Sequence, residues 1–172
     1  MATAPRIAIT PVKTLTGLSV PQESFQEAAT QTFSKGALVR LASGYLTECG
    51  TDPVLIMGVA SRDGQNGAAA GDKSQAVYLA HPDTLFKGNL DTSGSEGNGT
   101  TAVTDRGKNY GVAKASSGGT WYVDKTDQTN KRVVVWDFWT AVQDGVNMAV
   151  GDTLGWILFQ FDPQYFQGSH TS

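Results

Sequence analysis

The chain has 172 residues, and its 40% hydrophobic and 17% charged content suits one globular domain rather than a disordered chain. Its 13 basic and 16 acidic groups give a formal net charge of −3, which argues against a protein that neutralises nucleic-acid phosphates. The single cysteine, Cys49, excludes an internal disulfide and a cysteine-rich metal site.

The first 32 residues differ in composition from the rest, and residues 1–32 are predicted to form an extended N-terminal arm. Three of the six prolines lie there, and proline favours extended backbone. Near its end, Ser24 and Glu27 fit a capping box that predicts one or two helical turns, with a plain turn as the alternative. Such an arm could lie on a neighbouring molecule or stay partly disordered. Its docking contacts would come from its apolar residues, Ile7, Ile9, Leu15, Leu18 and Phe25.

The body, residues 33–172, is a series of short apolar segments separated by turns of Gly, Ser, Asp and Asn. This spacing predicts an all-β fold, an antiparallel β-sandwich or barrel of about nine strands, in addition to the arm. Residues 91–101 are almost entirely small and polar and predict a flexible, exposed loop. The predicted strands are 36–41, 45–47, 54–60, 76–80, 85–90, 110–113, 120–123, 132–138 and 154–161.

The last predicted strand is apolar on both faces. Because side chains alternate along a strand, Trp156 and Leu158 point one way and Phe159 and Phe161 the other. One face can fill the core, while the other must meet another sheet, the arm or a second subunit. The alternative is a central strand buried within one chain. We therefore expect Trp156, Leu158, Phe159 and Phe161 to contribute to a subunit interface.

No motif for nucleophilic, metal or nucleotide chemistry is present in the sequence. Cys49 could act as a nucleophile only with a base, for which His81 is the one real candidate, and a half-buried inert thiol is the favoured interpretation. The segment from His81 to Asp83 is typical of a turn. Aspartates beside glycine or proline also complete turns and single out no catalytic pair or calcium loop. We predict no catalytic residues, no cofactor, no metal and no enzymatic activity.

Four tryptophans, Trp121, Trp136, Trp139 and Trp156, could form a platform on which sugars stack, as in a carbohydrate-binding module. The favoured alternative is that strand tryptophans lie in the core or in an interface. No signal peptide and no run of 18 apolar residues are found, so we expect cytosolic synthesis and no membrane partner.

Motif order over residues 24–161 resembles that of the head decoration, or cement, proteins of tailed bacteriophages. In that group a polar arm leads into F-x-x-G-A/D-x-V, which matches 33–39, FSKGALV, in this chain. A glycine-turn strand follows at 44–46, GYL, and a hydrophobic-Gly-Val-Ala strand at 57–60, MGVA. The later 151–155, GDTLG, is similar to a recurring strand start there.

The resemblance implies a small β-rich subunit, often a homotrimer, that sits on the outer capsid surface of the virion after synthesis in the host cytoplasm. Its partners would be the major capsid protein, whose neighbouring subunits it clamps, and further copies of itself, with no nucleic acid. Two alternatives stay open from other classes: a phage tail-tube or other tail structural protein, and a carbohydrate-binding module.

Overall fold

The computed structural model describes residues 2–116, 119–140 and 149–169. Within these ranges the chain forms eleven β-strands and four three-residue 3-10 helices, and none of those helices is long and apolar enough to cross a membrane. The strands are β1 (Thr10–Thr14), β2 (Gln22–Gln26), β3 (Leu38–Ala42), β4 (Tyr45–Glu48), β5 (Gly58–Ala60), β6 (Ser74–Leu79), β7 (Thr84–Asp91), β8 (Asn109–Lys114), β9 (Trp121–Asp124), β10 (Val133–Phe138) and β11 (Trp156–Phe161).

The all-β prediction is confirmed, and each of the nine predicted strands overlaps one of β3–β11. The two further strands come from the N-terminal segment. The third predicted strand is shorter than expected, since β5 begins only at Gly58. Val54 is 73% exposed, and Ile56 forms a bridge to Phe166 outside the sheet. The apolar run at 54–57 therefore does not continue the sheet.

Five strands close into a barrel. In the first sheet the order is β1-β7-β11-β10-β8-β9, and β9 also pairs in parallel with the end of β7, with Leu90 opposite Val123. This parallel contact closes β7, β11, β10, β8 and β9 into a ring, while β1 pairs with the first half of β7. Closure leaves these five strands without the free edges that invite pairing with other chains.

The second sheet has the order β2-β6-β5-β3-β4, and one bridge between Glu27 and Leu46 links the end of β2 to β4. Both sheets contribute to one main apolar core. In the barrel, the ring of Phe161 packs edge to face against those of Phe86 and Phe159, at centroid distances of 5.0 Å and 5.5 Å. Leu38 and Leu46 are the buried counterparts from the second sheet.

The extended N-terminal arm predicted for residues 1–32 is corrected for its described part, because residues 2–32 supply a strand to each sheet. The segment pairs with β7 through β1 and with β6 through β2. Pro11 is compatible with β1 because β1 is an edge strand of its sheet. Edge strands tolerate proline, since an N–H on their unpaired side has no partner strand. The helical turn expected at Ser24–Glu27 is also wrong, since Ser24 lies within β2, opposite Ala76 of β6.

Strand β11 is apolar on both faces, as predicted, but this chain covers its inner face and, at Trp156, its outer face as well. Phe159 and Phe161 lie in the main core. On the opposite face Trp156 packs with Ala4, and its indole N–H donates to the carbonyl of Pro5 at 3.0 Å. Of the coverings considered, the N-terminal segment is the one observed. The expected subunit interface is corrected accordingly: Trp156, Phe159 and Phe161 are buried within the subunit, and Leu158 is half-buried.

Candidate interaction surface

The five apolar residues predicted for arm docking have three different locations. Ile9 is 1% exposed and belongs to the main core, so its docking role is corrected. Ile7 packs against the smaller apolar cluster around Trp156, and Phe25 packs partly buried against the main core. Leu15 and Leu18, in contrast, are 45% and 73% exposed in the turn after β1. Only these last two present a largely free apolar surface.

The turn that carries Leu15 is held next to the outer face of the barrel. The backbone N–H of Leu15 donates to the carbonyl of Asp83, in the turn between β6 and β7, at 2.8 Å. The side chain of Gln160 donates to the carbonyl of neighbouring Pro82 and accepts a hydrogen bond from the indole of Trp136 at 2.8 Å. These bonds connect the N-terminal turn to the tryptophan on β10.

Trp136 projects from the outer face of β10 and is 46% exposed. Val133 and Val135 point into the core, while Val134 is half-buried on the outer side. A bulge between Val135 and Asp137 interrupts the register with β11 at the tryptophan. We define the Trp136 face as Leu15, Leu18, Val134, Trp136 and Leu158.

The four tryptophans do not form a common sugar-binding platform. Trp121 is buried and donates to Glu48 at 3.0 Å, and Trp156 is buried under the N-terminal segment. Trp139 and Trp156 flank the Lys87 ammonium, which lies 4.9 Å and 5.2 Å from their ring centroids. Burial lowers the pKa of Lys87. Trp136 is therefore the one of the four with a largely exposed ring.

A polar depression of about 320 Å³ adjoins the Trp136 face. The register places it there, because Asn109 is opposite Val134 and the Val135 N–H donates to the Lys108 carbonyl at 2.9 Å. Lys108 and Lys131 are both exposed. The lining residues are Gly107, Lys108, Asn109, Tyr110, Gln128 and Lys131.

A buried carboxylate organises the loop at residues 91–101, which is therefore less free than predicted. Asp91 accepts hydrogen bonds from the N–H groups of Gly97 and Gly99 at 3.0 Å and pairs with the Arg6 guanidinium at 2.6 Å. A Cβ atom at Gly99 would lie 2.3 Å from the Asp91 Cα, so this close approach requires glycine. Within the loop only Ser93–Ser95 and Asn98 are exposed.

Two further aspartates fix neighbouring loops. Asp105 accepts from the Tyr110 hydroxyl at 2.7 Å and from the Lys125 ammonium at 3.1 Å. Burial alone would raise the pKa of Asp124, but hydrogen bonds from Thr126 and Ser93 outweigh it and hold that pKa below its usual value. Among the described residues, no three His, Cys, Asp or Glu side chains are grouped as a metal site.

Cys49 and His81 each have a local structural role. The Cys49 thiol is buried and points towards the Leu55 carbonyl, 3.8 Å from its oxygen. Burial raises the pKa of Cys49 to about 12, with a smaller opposing effect from Arg40. The imidazole Nδ1 of His81 accepts from the Asp83 N–H at 3.2 Å, which is the hydrogen bond of a turn.

We expect Cys49 to be unreactive in the folded protein, because the thiolate is the nucleophile and burial suppresses its formation at neutral pH. Labelling with a maleimide, followed by mass spectrometry, should give almost no adduct in native buffer and complete modification in guanidinium. Cys49→Ser serves as the unlabelled control. Rapid modification of the native protein would contradict this assignment.

Comparisons with known proteins provide no independent guide to function. No family model, no curated protein and no solved structure matches this chain. The likeness of residues 24–161 to head decoration proteins is therefore a resemblance in the order of short motifs.

Sequence reasoning missed two components of this surface. The exposure of Trp136 was predictable from the β10 sequence, because side chains alternate along a strand: Val133 and Val135 point inward and the tryptophan points outward. Lys108 and Lys131 are distant in sequence and carried no motif. They come together because β8 and β10 are neighbours in the barrel.

Proposed function

We propose that this protein is a non-catalytic structural component of a tailed-bacteriophage virion, which binds the outer surface of the major capsid shell through the Trp136 face. The observation that carries the proposal is the exposed indole of Trp136, which Gln160 links to the Pro82–Asp83 turn, where the exposed Leu15 is also held. Exposed aromatic residues with apolar neighbours characterise the centres of protein interfaces. The resemblance to head decoration proteins supplies the identity of the partner.

The geometry around Trp136 suits binding without large rearrangement. Its indole N–H is already bonded to Gln160, whose amide is in turn bonded to the turn at Pro82. A side chain held in this way loses little conformational freedom when a partner covers it. A homotrimer would present three such faces, and linked contacts strengthen attachment without new chemistry. A protein that binds only the assembled shell stabilises that shell by mass action.

We expect Trp136→Ala to weaken binding to shells that lack this protein by about 30-fold, equivalent to roughly 2 kcal/mol for an interface hot spot. Folding should be little affected, because the ring is largely exposed. Co-sedimentation with purified shells measures the binding. Val54→Ala is the matched control, since Val54 is an exposed apolar residue outside the Trp136 face. Equal binding by both variants would contradict the proposal.

Separate outcomes would favour the alternatives. Assembly of the purified protein into rings or tubes would favour a tail-tube protein. Quenching of tryptophan fluorescence by glycans, absent from Trp136→Ala, would favour a carbohydrate-binding module that uses this single exposed ring. Light scattering should give a mass three times 18.2 kDa for the trimer that the resemblance implies. Because Trp156, Phe159 and Phe161 of β11 are buried within their own chain, the trimer proposal depends on the resemblance alone.

A further inference from the structure

Two lysines beside the Trp136 face lack partners among the described residues. Lys108 and Lys131 form no ion pair or hydrogen bond through their ammonium groups with any residue that the structure describes. The other cations between residues 106 and 132 are engaged, as follows: Arg106 with Asp137, Lys114 with Glu48, Lys125 with Asp105, and Arg132 with the Pro53 carbonyl. The depression therefore carries two ammonium groups without an ion-pair partner among the described residues, on a chain of net charge −3.

The neighbouring carboxylates are already committed to their own loops. Asp127, next to Gln128, accepts from the backbone N–H groups of Thr129 and Asn130 at 3.0 Å and 2.8 Å. Asp105 is buried and bonded to Tyr110 and Lys125. Neither forms an ion pair with the two lysines, so both ammonium groups are free to attract an external anion.

The lining residues add neutral hydrogen-bond donors to these charges. Asn109 and Gln128, whose side chains end in carboxamides, are also among the lining residues. An amide N–H₂ beside an ammonium group is suited to a carboxylate, which accepts up to four hydrogen bonds over its two oxygens. The depression also lies at the border of an apolar surface, because Asn109 is paired with Val134.

We propose that this depression, formed by Lys108, Asn109, Gln128 and Lys131, binds carboxylate side chains from an acidic segment of the protein that docks on the Trp136 face. This inference rests on the proposed function for the origin of that segment. The adjacent apolar face favours a protein over a polyphosphate, since a partner with apolar residues can cover Trp136 while its acidic residues meet the lysines. Nucleic acid is disfavoured because two lysines neutralise few phosphates and the whole chain is acidic.

The test uses the full chain and N-acetyl-tetraglutamate amide as the probe, with binding followed by NMR. We expect saturable shifts centred on the backbone amides of the depression, and their loss at about 1 M salt, where the Debye length is about 3 Å. Lys108→Glu with Lys131→Glu should weaken binding at least about tenfold, since two attractive charges become repulsive. The matched control is Lys35→Glu with Lys73→Glu, which changes the net charge equally at two exposed lysines elsewhere.

Three results would overturn this inference. They are equal weakening in both double variants, shifts spread over all surface lysines, and tighter binding of an oligonucleotide of equal charge than of tetraglutamate. Thermal melting of each variant verifies that the fold is intact. Trp136→Ala should retain tetraglutamate binding while its shell binding weakens, so failure of the acidic-segment site is distinguishable from failure of the proposed function.

Discussion

Removal of residues 1–32 is expected to abolish folding of the remaining chain. The deletion takes away β1 and β2, one strand from each sheet, and removes Ile9 from the main core. It also leaves the buried Asp91 without the Arg6 guanidinium. Replacing one core isoleucine by alanine alone lowers the free energy of unfolding by about 2–5 kcal/mol, and that of a whole domain is only about 5–15 kcal/mol. Circular dichroism and size exclusion of the fragment 33–172 should show an unfolded or aggregated chain.

Two point variants in the same segment provide the internal control. Ile9→Ala should reduce the free energy of unfolding by about 2–5 kcal/mol, because Ile9 is 1% exposed. Leu18→Ala should change it by less than about 0.5 kcal/mol, because that side chain is largely exposed in the turn. A fragment 33–172 with a cooperative, native-like melting transition would restore the interpretation of this segment as a separable arm.

Asp91→Ala is expected to lower the free energy of unfolding by about 3–5 kcal/mol, the usual cost of breaking a buried ion pair from one side. The carboxylate is fully buried and the Arg6 side chain is 24% exposed, so the guanidinium would lose its counter-charge in a mostly dry site. The Gly97 and Gly99 N–H groups would also lose their acceptor. Urea denaturation of the purified variant measures the change.

The matched comparison is Asp137→Ala in the Arg106–Asp137 pair, whose separation is likewise 2.6 Å but whose side chains are 52% and 53% exposed. Solvent screening limits such surface pairs to about 0–1 kcal/mol. The double variant Arg6→Ala with Asp91→Ala should be less destabilised than the sum of the single changes, because no unpaired charge is left. Similar losses for Asp91→Ala and Asp137→Ala would show that burial does not set the strength of the Arg6–Asp91 pair.

The candidate surface was only partly predictable. Leu15 and Leu18 were expected to contact a partner, and they are the two members of the arm set that the structure leaves largely exposed. Ile9 has the same apolar character but lies in the core, since the segment before β1 packs closely against Gly36 and Gly88. Apolar composition identified the group without distinguishing its members, because exposure depends on which strand each residue lies beside.

Local sequence determined the strands of the body, and it did so for a physical reason. Alternating or β-branched segments bounded by Gly, Asp and Asn turns have few competing backbone conformations, so β3–β11 follow from short-range preferences. The same preferences identified β11 as a strand with two apolar faces. Turn chemistry at His81–Asp83 was equally local and is seen in the structure.

Only the tertiary structure decided what covers those faces and which distant groups meet. The N-terminal segment pairs with β7 and β6 and covers Trp156, although its proline content resembles that of a free arm. Lys108 and Lys131 share a depression solely because β8 lies next to β10 in a closed barrel. Such contacts depend on pairing between segments that are far apart in the chain. The free energy of this pairing is gained only when the sheets close, so no local sequence pattern indicates which segments will meet.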